Sequence, residues 1–314
     1  MARNELVLLT GATGFIGSHL GPALVARGLQ LRTSGHTRSS GETLALPIAP
    51  RTDFTRLLDG VSAVVHLAGR AHIADRSDVA ALQAFRHVNT EGTKALAEAA
   101  AKAGVERFIF ASSVAVHGSW PGRPLRETDA PAPATPYGIS KYEAEIALQA
   151  LAARTGMAIT TLRLPLVYGP GAVGRMGQLV GAIARGLPLP LGSVRNARSL
   201  LGIGNLSDLI ARLIECPEPI AGQFLVSDGQ DVSTPEIVAA LAQGMQQRAR
   251  MPAVPVPVLR AFARISGKAE LLDKLIGNLT IDATSIRDAL SWQPPIPVHQ
   301  GLVETGRAHA SFRR

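Results

Sequence analysis

The stretch from Thr10 to Leu20, TGATGFIGSHL, constrains this chain more than any other. It follows directly on the apolar run Leu6 to Leu9 and opens an amphipathic segment, Ile16 to Ala26, that Gly28 closes. Strand, glycine turn and helix therefore succeed one another without a break. In that frame Gly11 lets the chain turn off the strand, Gly14 lets backbone approach a pyrophosphate, and Gly17 lets the helix pack close to the sheet. The amides that enter the helix, from Thr13 through Phe15 and Ile16, then face the anion. A glycine pattern in this setting predicts a dinucleotide site.

The same alternation continues downstream. Leu29 to Ser34 reads as a second strand, and Thr52 or Asp53 as the cap of a short helix through Leu58. Ala63 to Leu67 is a buried strand that runs into the small turn Ala68, Gly69, Arg70. A helical pattern then covers Asn89 to Ala103, and Arg107 to Ala111 is the next buried strand. Near-continuous apolar strands between helices predict an α/β fold, a Rossmann-type doubly wound parallel sheet. Ligands of such sheets sit beyond the strand C-terminal ends, which puts Leu67, Ala68 and Gly69 against the cofactor. Pro121 to Pro136 lacks periodicity and reads as a loop over the site. Tyr137 to Ala153 resumes a helix, and Ile159 to Leu164 is a strand ended by Pro165. Residues 1–165, with part of 199–227, are expected to form the NAD(P)-binding domain. The remainder of 166–314 is expected to form a small C-terminal α/β substrate domain, with a capping box at Ser233 and Glu236 opening a helix to about Gln247.

Composition narrows the class of partner. No run of about 18 apolar residues and no leader pattern is present, so a cytoplasmic protein without membrane insertion is expected. Cys216 is the only cysteine, which rules out an intramolecular disulfide and a cysteine-based metal site; no metal is expected. The net charge of +8 raises the question of nucleic acid, but the arginines are scattered and aromatic residues make up only 4%. Stacking platforms are thus few, and a basic surface suits a small anionic substrate instead.

The end of the second strand bears on which cofactor binds. NAD sites usually place an acid there to hold the ribose 2′-hydroxyl. Here Thr33 to Arg38 contains none, whereas Arg32, His36 and Arg38 offer positive charge for a 2′-phosphate. This favours NADP over NAD.

Tyr137 and Lys141, in YGISK, lie one helical turn apart on one face. An ammonium beside a phenol is expected to lower the tyrosine pKa towards working pH. Ser112 and Ser113 follow the strand RFIFA at the same sheet edge. Together with TGATGFIGSHL, HLAGR (His66 to Arg70), SSVAVHG (Ser112 to Gly118) and LRLPLVYGPG, these residues resemble the extended short-chain dehydrogenase/reductases, specifically the nucleotide-sugar epimerase/dehydratase group. The resemblance covers nearly the whole chain. It implies that Tyr137 is the acid/base, that Lys141 lowers its pKa and binds the nicotinamide ribose, and that Ser113 hydrogen-bonds the reacting sugar oxygen. Asn89 would support the active-site strand and helix, or else cap a helix. Arg198, or Arg195 in its place, would clamp the nucleotide diphosphate.

Departures from the group's pattern are informative. Val114 and Ala115 stand where sugar dehydratases carry an Asp–Glu pair, which disfavours dehydration, and Leu166 stands where an asparagine often contacts substrate phosphate. His117 replaces a frequent tyrosine and reads as structural filling. The second half is most similar to bacterial surface-polysaccharide proteins that act at C4 of UDP-linked sugars. The reading favoured is an NADPH-dependent 4-ketoreductase. A 4-epimerase with tightly held NAD is the alternative, and a non-catalytic NADP(H)-binding sensor is the rival from another class. The resemblance also implies a homodimer.

Overall fold

The computed structural model describes residues 5–34, 42–44, 46–71, 78–267 and 269–311. Strand β1 (Leu6–Thr10) is buried from Val7 onward, as a strand covered on both faces must be. Gly11, at φ +71°, turns the chain into α1 (Phe15–Ala26), and β2 (Gln30–Ser34) returns parallel to β1 with Thr10 opposite Ser34. Then come β3 (Glu42–Leu44), α2 (Thr55–Leu58) and β4 (Ala63–His66), the last pairing with the other edge of β1. Helix α3 (Asp78–Phe85) passes through a π-helical segment, Arg86–Gly92, into α4 (Thr93–Lys102). Strand β5 (Arg107–Ser113) leads to a 3₁₀ turn, Val114–His117. Helix α5 (Pro136–Thr155) is capped by the Thr135 side chain at one end and closed by left-handed Gly156 at the other. It returns the chain to β6 (Ala158–Leu164).

Pro165 cannot continue the ladder, and the chain leaves the sheet there. It forms β7 (Leu166–Tyr168), α6 (Gly174–Ala184), β8 (Arg198–Gly202) and α7 (Ile203–Glu215). Strand β9 (Gly222–Leu225) comes back beside β6. The last quarter holds β10 (Asp231–Val232), α8 (Thr234–Gly244), α9 (Val256–Ile265), α10 (Ala269–Ile276), α11 (Thr284–Leu290) and α12 (Val298–Ser311). The main sheet is parallel throughout, ordered β3-β2-β1-β4-β5-β6-β9, and a second sheet is ordered β10-β8-β7. The strand order reverses between β1 and β4, so the crevice for ligand opens beyond their C-terminal ends.

Three apolar clusters hold these layers. One packs α1 and α7 on one face of the main sheet, one packs α2, α4 and α5 on the other, and the third lies under α6, α8 and α12. Helices α8 and α12 touch through glycine: a Cβ on Gly306 would strike the Leu241 carbonyl, and one on Gly244 the Val303 carbonyl. Among the described residues no helix is long and apolar enough to cross a membrane.

The structure departs from the expected helix bounds in two places. The helix expected to begin at Asn89 begins at Asp78, and Asn89 sits inside its π segment, where the wider turn interrupts the 3.6-residue period. Helix α8 ends at Gly244, short of Gln247, because Gln246 adopts a positive φ of 56°. The proline-rich 252–257 region opens helix α9, with Pro255 at its N-cap and Pro257 in its first turn, where a missing amide costs nothing.

Candidate active site

The glycine turn is as tight as its sequence requires. A Cβ on Gly11 would lie 2.7 Å from the Ala68 nitrogen, so the first turn and the turn after β4 are in backbone contact. A Cβ on Gly17 would collide with the Gly11 carbonyl, which seats α1 on the turn. The first turn of α1 has no side-chain cap and no acid, and Thr13 and Gly14 are exposed. Its orphan amides are thus left for an anion from outside. These are the features a dinucleotide pyrophosphate needs.

Across the crevice, β5 and α5 carry the reactive groups. Ile16, Leu67, Gly69, Ser113, Tyr137 and Lys141 line one cleft. Ser113 ends β5 and caps the 3₁₀ turn, accepting the Ala115 amide at 3.2 Å, and its hydroxyl also hydrogen-bonds the Tyr137 phenol. Lys141 is 4% exposed. Its ammonium donates to the Ala111 carbonyl at 2.8 Å and lies 4.5 Å from the centre of the Phe110 ring. Burial lowers the Lys141 pKa to about 8 against the opposing pull of Glu145. Burial also pushes the Tyr137 phenol up, and the Ser113 hydrogen bond only partly opposes it. Desolvation is the larger of the two effects on the phenol, and the Lys141 ammonium is turned to the strand carbonyl.

Asn89 is fully buried and is not a helix cap. It accepts the Arg70 amide at 2.8 Å, donates to the Arg70 carbonyl at 3.0 Å, and donates to the Ser140 hydroxyl at 3.1 Å. It thereby ties the turn after β4 to helix α5. Gly69 fits the gap between them: a Cβ there would lie 3.2 Å from Asn89 Oδ1 and 3.4 Å from Lys141 Nζ.

Two buried groups went unnoticed in the sequence. His66 hydrogen-bonds Thr10 at 2.7 Å and Thr93 at 2.9 Å, and burial, helped by the nearby Lys141 charge, lowers its pKa to about 3. It is a neutral brace under the cleft. Glu145 lies one turn beyond Lys141 and faces Arg163 of β6, whose Nη2 donates to it at 2.7 Å. Ser112 donates to the same carboxylate, and His117 Nε2 accepts from Arg163 at 3.1 Å. The signal was present as Tyr137, Lys141 and Glu145 at every fourth position, a polar stripe on an otherwise packed helix.

On the second-domain side, Arg198 and Arg175 line a pocket with Lys274 and Leu166. Arg198 donates to the carbonyls of Lys274 at 3.0 Å and Gly277 at 2.8 Å. Burial and the neighbouring Arg175 lower its pKa, and the Lys274 ammonium is lowered in the same way. Three cations pressed together in this way favour an anion between them. Arg195 is exposed on the preceding loop and is not among the residues lining the pocket.

Among the positive residues expected to meet a 2′-phosphate, Arg32 is engaged with backbone. Arg32 donates to the carbonyls of Leu57 (3.3 Å) and Asp59 (2.6 Å), bracing the end of α2. His36 and Arg38 lie outside the described residues. Asp53 accepts the Thr55 amide at 2.9 Å, although Phe54 occupies the cap position itself.

Comparison with known proteins agrees with this geometry. A family model described as NAD dependent epimerase/dehydratase family matches residues 7–225. The chain is 38% identical over 310 residues to a UDP-glucose 4-epimerase of Vibrio cholerae, covering 96% of this chain and 94% of that one. It is 27% identical over 319 residues to an Escherichia coli O157:H7 N-acetyl-alpha-D-glucosaminyl-diphospho-ditrans,octacis-undecaprenol 4-epimerase, covering 96% and 94%. Among solved structures it is similar to MoeE5 in complex with UDP-glucose and NAD, with a TM-score of 0.80, 26% identity and coverage of 98% and 99%.

Proposed function

The chain belongs to the NAD dependent epimerase/dehydratase family and is an enzyme of the extended short-chain dehydrogenase/reductase type; on that premise we propose that it is a 4-epimerase of a UDP-linked sugar that keeps NAD bound through turnover. The observation that carries this reading is the convergence of Ser113, Tyr137 and Lys141 in one cleft, facing the glycine turn. NAD, when bound, would supply reversible hydride acceptance at C4 of the sugar. Gly11, Thr13, Gly14, Phe15, Ile16 and Gly17 would cradle its pyrophosphate, and Leu67, Ala68 and Gly69 would back it. Asn89 would hold that backing turn in place. Tyr137 takes the proton of the C4 hydroxyl as the ketone forms and gives it back as the hydroxyl re-forms. Ser113 donates to the developing oxyanion. Lys141 holds the nicotinamide ribose and keeps a positive charge beneath the phenol. Arg198, with Arg175 and Lys274, clamps the diphosphate, which leaves the sugar free to turn over.

The 4-epimerase of Vibrio cholerae, similar over nearly the whole length, supports this reading over the reductase favoured by sequence. The use of Arg32 on backbone carbonyls removes one support for a 2′-phosphate. The reductase remains the second reading on one observation, the lack of any carboxylate from Thr33 to Arg38. The homodimer that the resemblance implies would use the adjoining helices α3 and α5, which expose Val79 and Ile146. The test of function is interconversion of UDP-glucose and UDP-galactose, or of their N-acetylamino counterparts, followed by NMR with no cofactor added. An epimerase converts them. Failure to convert any of them, with NADPH consumed on a UDP-4-keto sugar, overturns the proposal in favour of the reductase.

A further inference from the structure

Helix α9 is apolar on two sides. Leu259 and Ala263 are buried at 8% and 6% exposure, facing the third cluster. Val258, Phe262 and Ile265 lie on the other side, at 55%, 71% and 87% exposure. Successive spacings of four and three residues place these three on one face. Of the large hydrophobic residues exposed in the described chain, no other helix shows three together; Val25, Val79, Ile146, Val173 and Leu187 stand apart. A helix with apolar residues all round is normally buried. This one is covered on one side only.

The charge around it identifies what covers the other side. From Arg248 to Lys268 the sequence holds Arg248, Arg250, Arg260, Arg264 and Lys268 and not one Asp or Glu. Apolar residues and prolines separate these cations, which is why they read as scattered along the chain. On α9 itself, Arg260 and Arg264 are exposed and lie together on the polar side of the helix, roughly opposite Val258, Phe262 and Ile265. Arg260 pairs with Asp273 of the next helix at 3.9 Å. A second copy of this chain carries the same net charge of +8, so like charge opposes its approach to this face. An anionic lipid bilayer offers both halves of what this face lacks: negative headgroups for the arginines and an apolar boundary for Val258, Phe262 and Ile265.

We propose that α9 docks this enzyme reversibly on an anionic membrane surface, lying in the interface plane with its Val258–Phe262–Ile265 face in the headgroup boundary. The docking face is one helix away from substrate. Arg260 and Asp273 join α9 to α10, and Lys274 and Leu275 of α10 line the Arg198 pocket. The wall of the Arg198 pocket would thus lie one helix away from the bilayer.

The test is co-sedimentation of the full-length protein with phosphatidylcholine vesicles, with and without about one third phosphatidylglycerol. The expected result is binding to the anionic vesicles at least about tenfold stronger than to phosphatidylcholine alone, weakened by salt. Phe262→Ser with Ile265→Ser should lower it about tenfold or more, and Arg264→Gln about fivefold. Turnover of a soluble nucleotide sugar should be unchanged in every variant, which reports an intact fold. Equal binding to both vesicle types, or binding to anionic vesicles that these variants do not weaken, overturns the proposal. So does a dimer in solution that Phe262→Ser with Ile265→Ser dissociates, since the face would then belong to a second copy.

Discussion

The carboxylate of Glu145 and the guanidinium of Arg163 meet at 2.7 Å with 0% and 1% of their side chains exposed. Between them they join the catalytic helix α5 to β6, and Ser112 binds the same carboxylate one residue before Ser113. A buried pair of this kind stabilises little compared with apolar packing, but loss of one partner strands the other charge. Glu145→Gln should therefore destabilise the fold by about 3–5 kcal/mol in chemical denaturation. Glu145→Gln with Arg163→Met should recover part of that loss, because no charge remains buried.

Lys141 works against stability at neutral pH. Its pKa falls from 10.5 to about 8 on burial, so between these values the unfolded chain holds more protons and stability rises with pH. Below about 8 the buried ammonium costs on the order of 3 kcal/mol relative to a neutral side chain. Lys141→Met should be inactive yet more stable than the parent at pH 7, with the difference closing as pH approaches 10.5. Denaturation midpoints of the two proteins across that window check it.

Acid should weaken the protein through its buried neutral histidines. His66 is lowered from 6.5 to about 3 and His117 from 6.5 to about 4, mainly by burial. As pH falls from 6.5 towards these values the unfolded chain binds protons that the folded one refuses, and each histidine removes about 1.4 kcal/mol per pH unit. His117→Gln keeps an acceptor for Arg163 and should roughly halve the slope of stability against pH between about 4 and 6.5.

The cleft and the cationic pocket should separate in kinetics. Tyr137→Phe removes the proton carrier and should lower turnover about 10³-fold, while NAD is still recovered from the purified protein. Arg175→Met removes one charge from the pocket proposed to hold the diphosphate. It should raise KM for the UDP-sugar by about 10- to 100-fold and leave kcat within about threefold.

Much of this was legible in the sequence because it is local. Gly11, Gly17 and the strand–turn–helix around them are set by adjacent residues, and so are the Ser233–Glu236 capping box and the Tyr137–Lys141 face. What stayed hidden depends on pairs far apart in the chain. Glu145 is an ordinary helix glutamate until β6 brings Arg163 beneath it, and Arg175 and Lys274 become neighbours of Arg198 only through the second sheet and α10. Asn89 read either as a support of the site or as a helix cap because a π segment has no 3.6-residue signature. Arg32 read as a phosphate ligand because nothing nearby in sequence announces the carbonyls of Leu57 and Asp59 that take it up.

The central claim is that the hydrogen leaving C4 stays with the enzyme and returns to the same sugar. It is tested most directly with UDP-sugar deuterated at C4, incubated with the purified protein and no added cofactor, the product being read by mass spectrometry. The expected product is a 4-epimer that keeps its deuterium at C4. Product lacking the label, or conversion that proceeds only as NADPH is consumed, would contradict it.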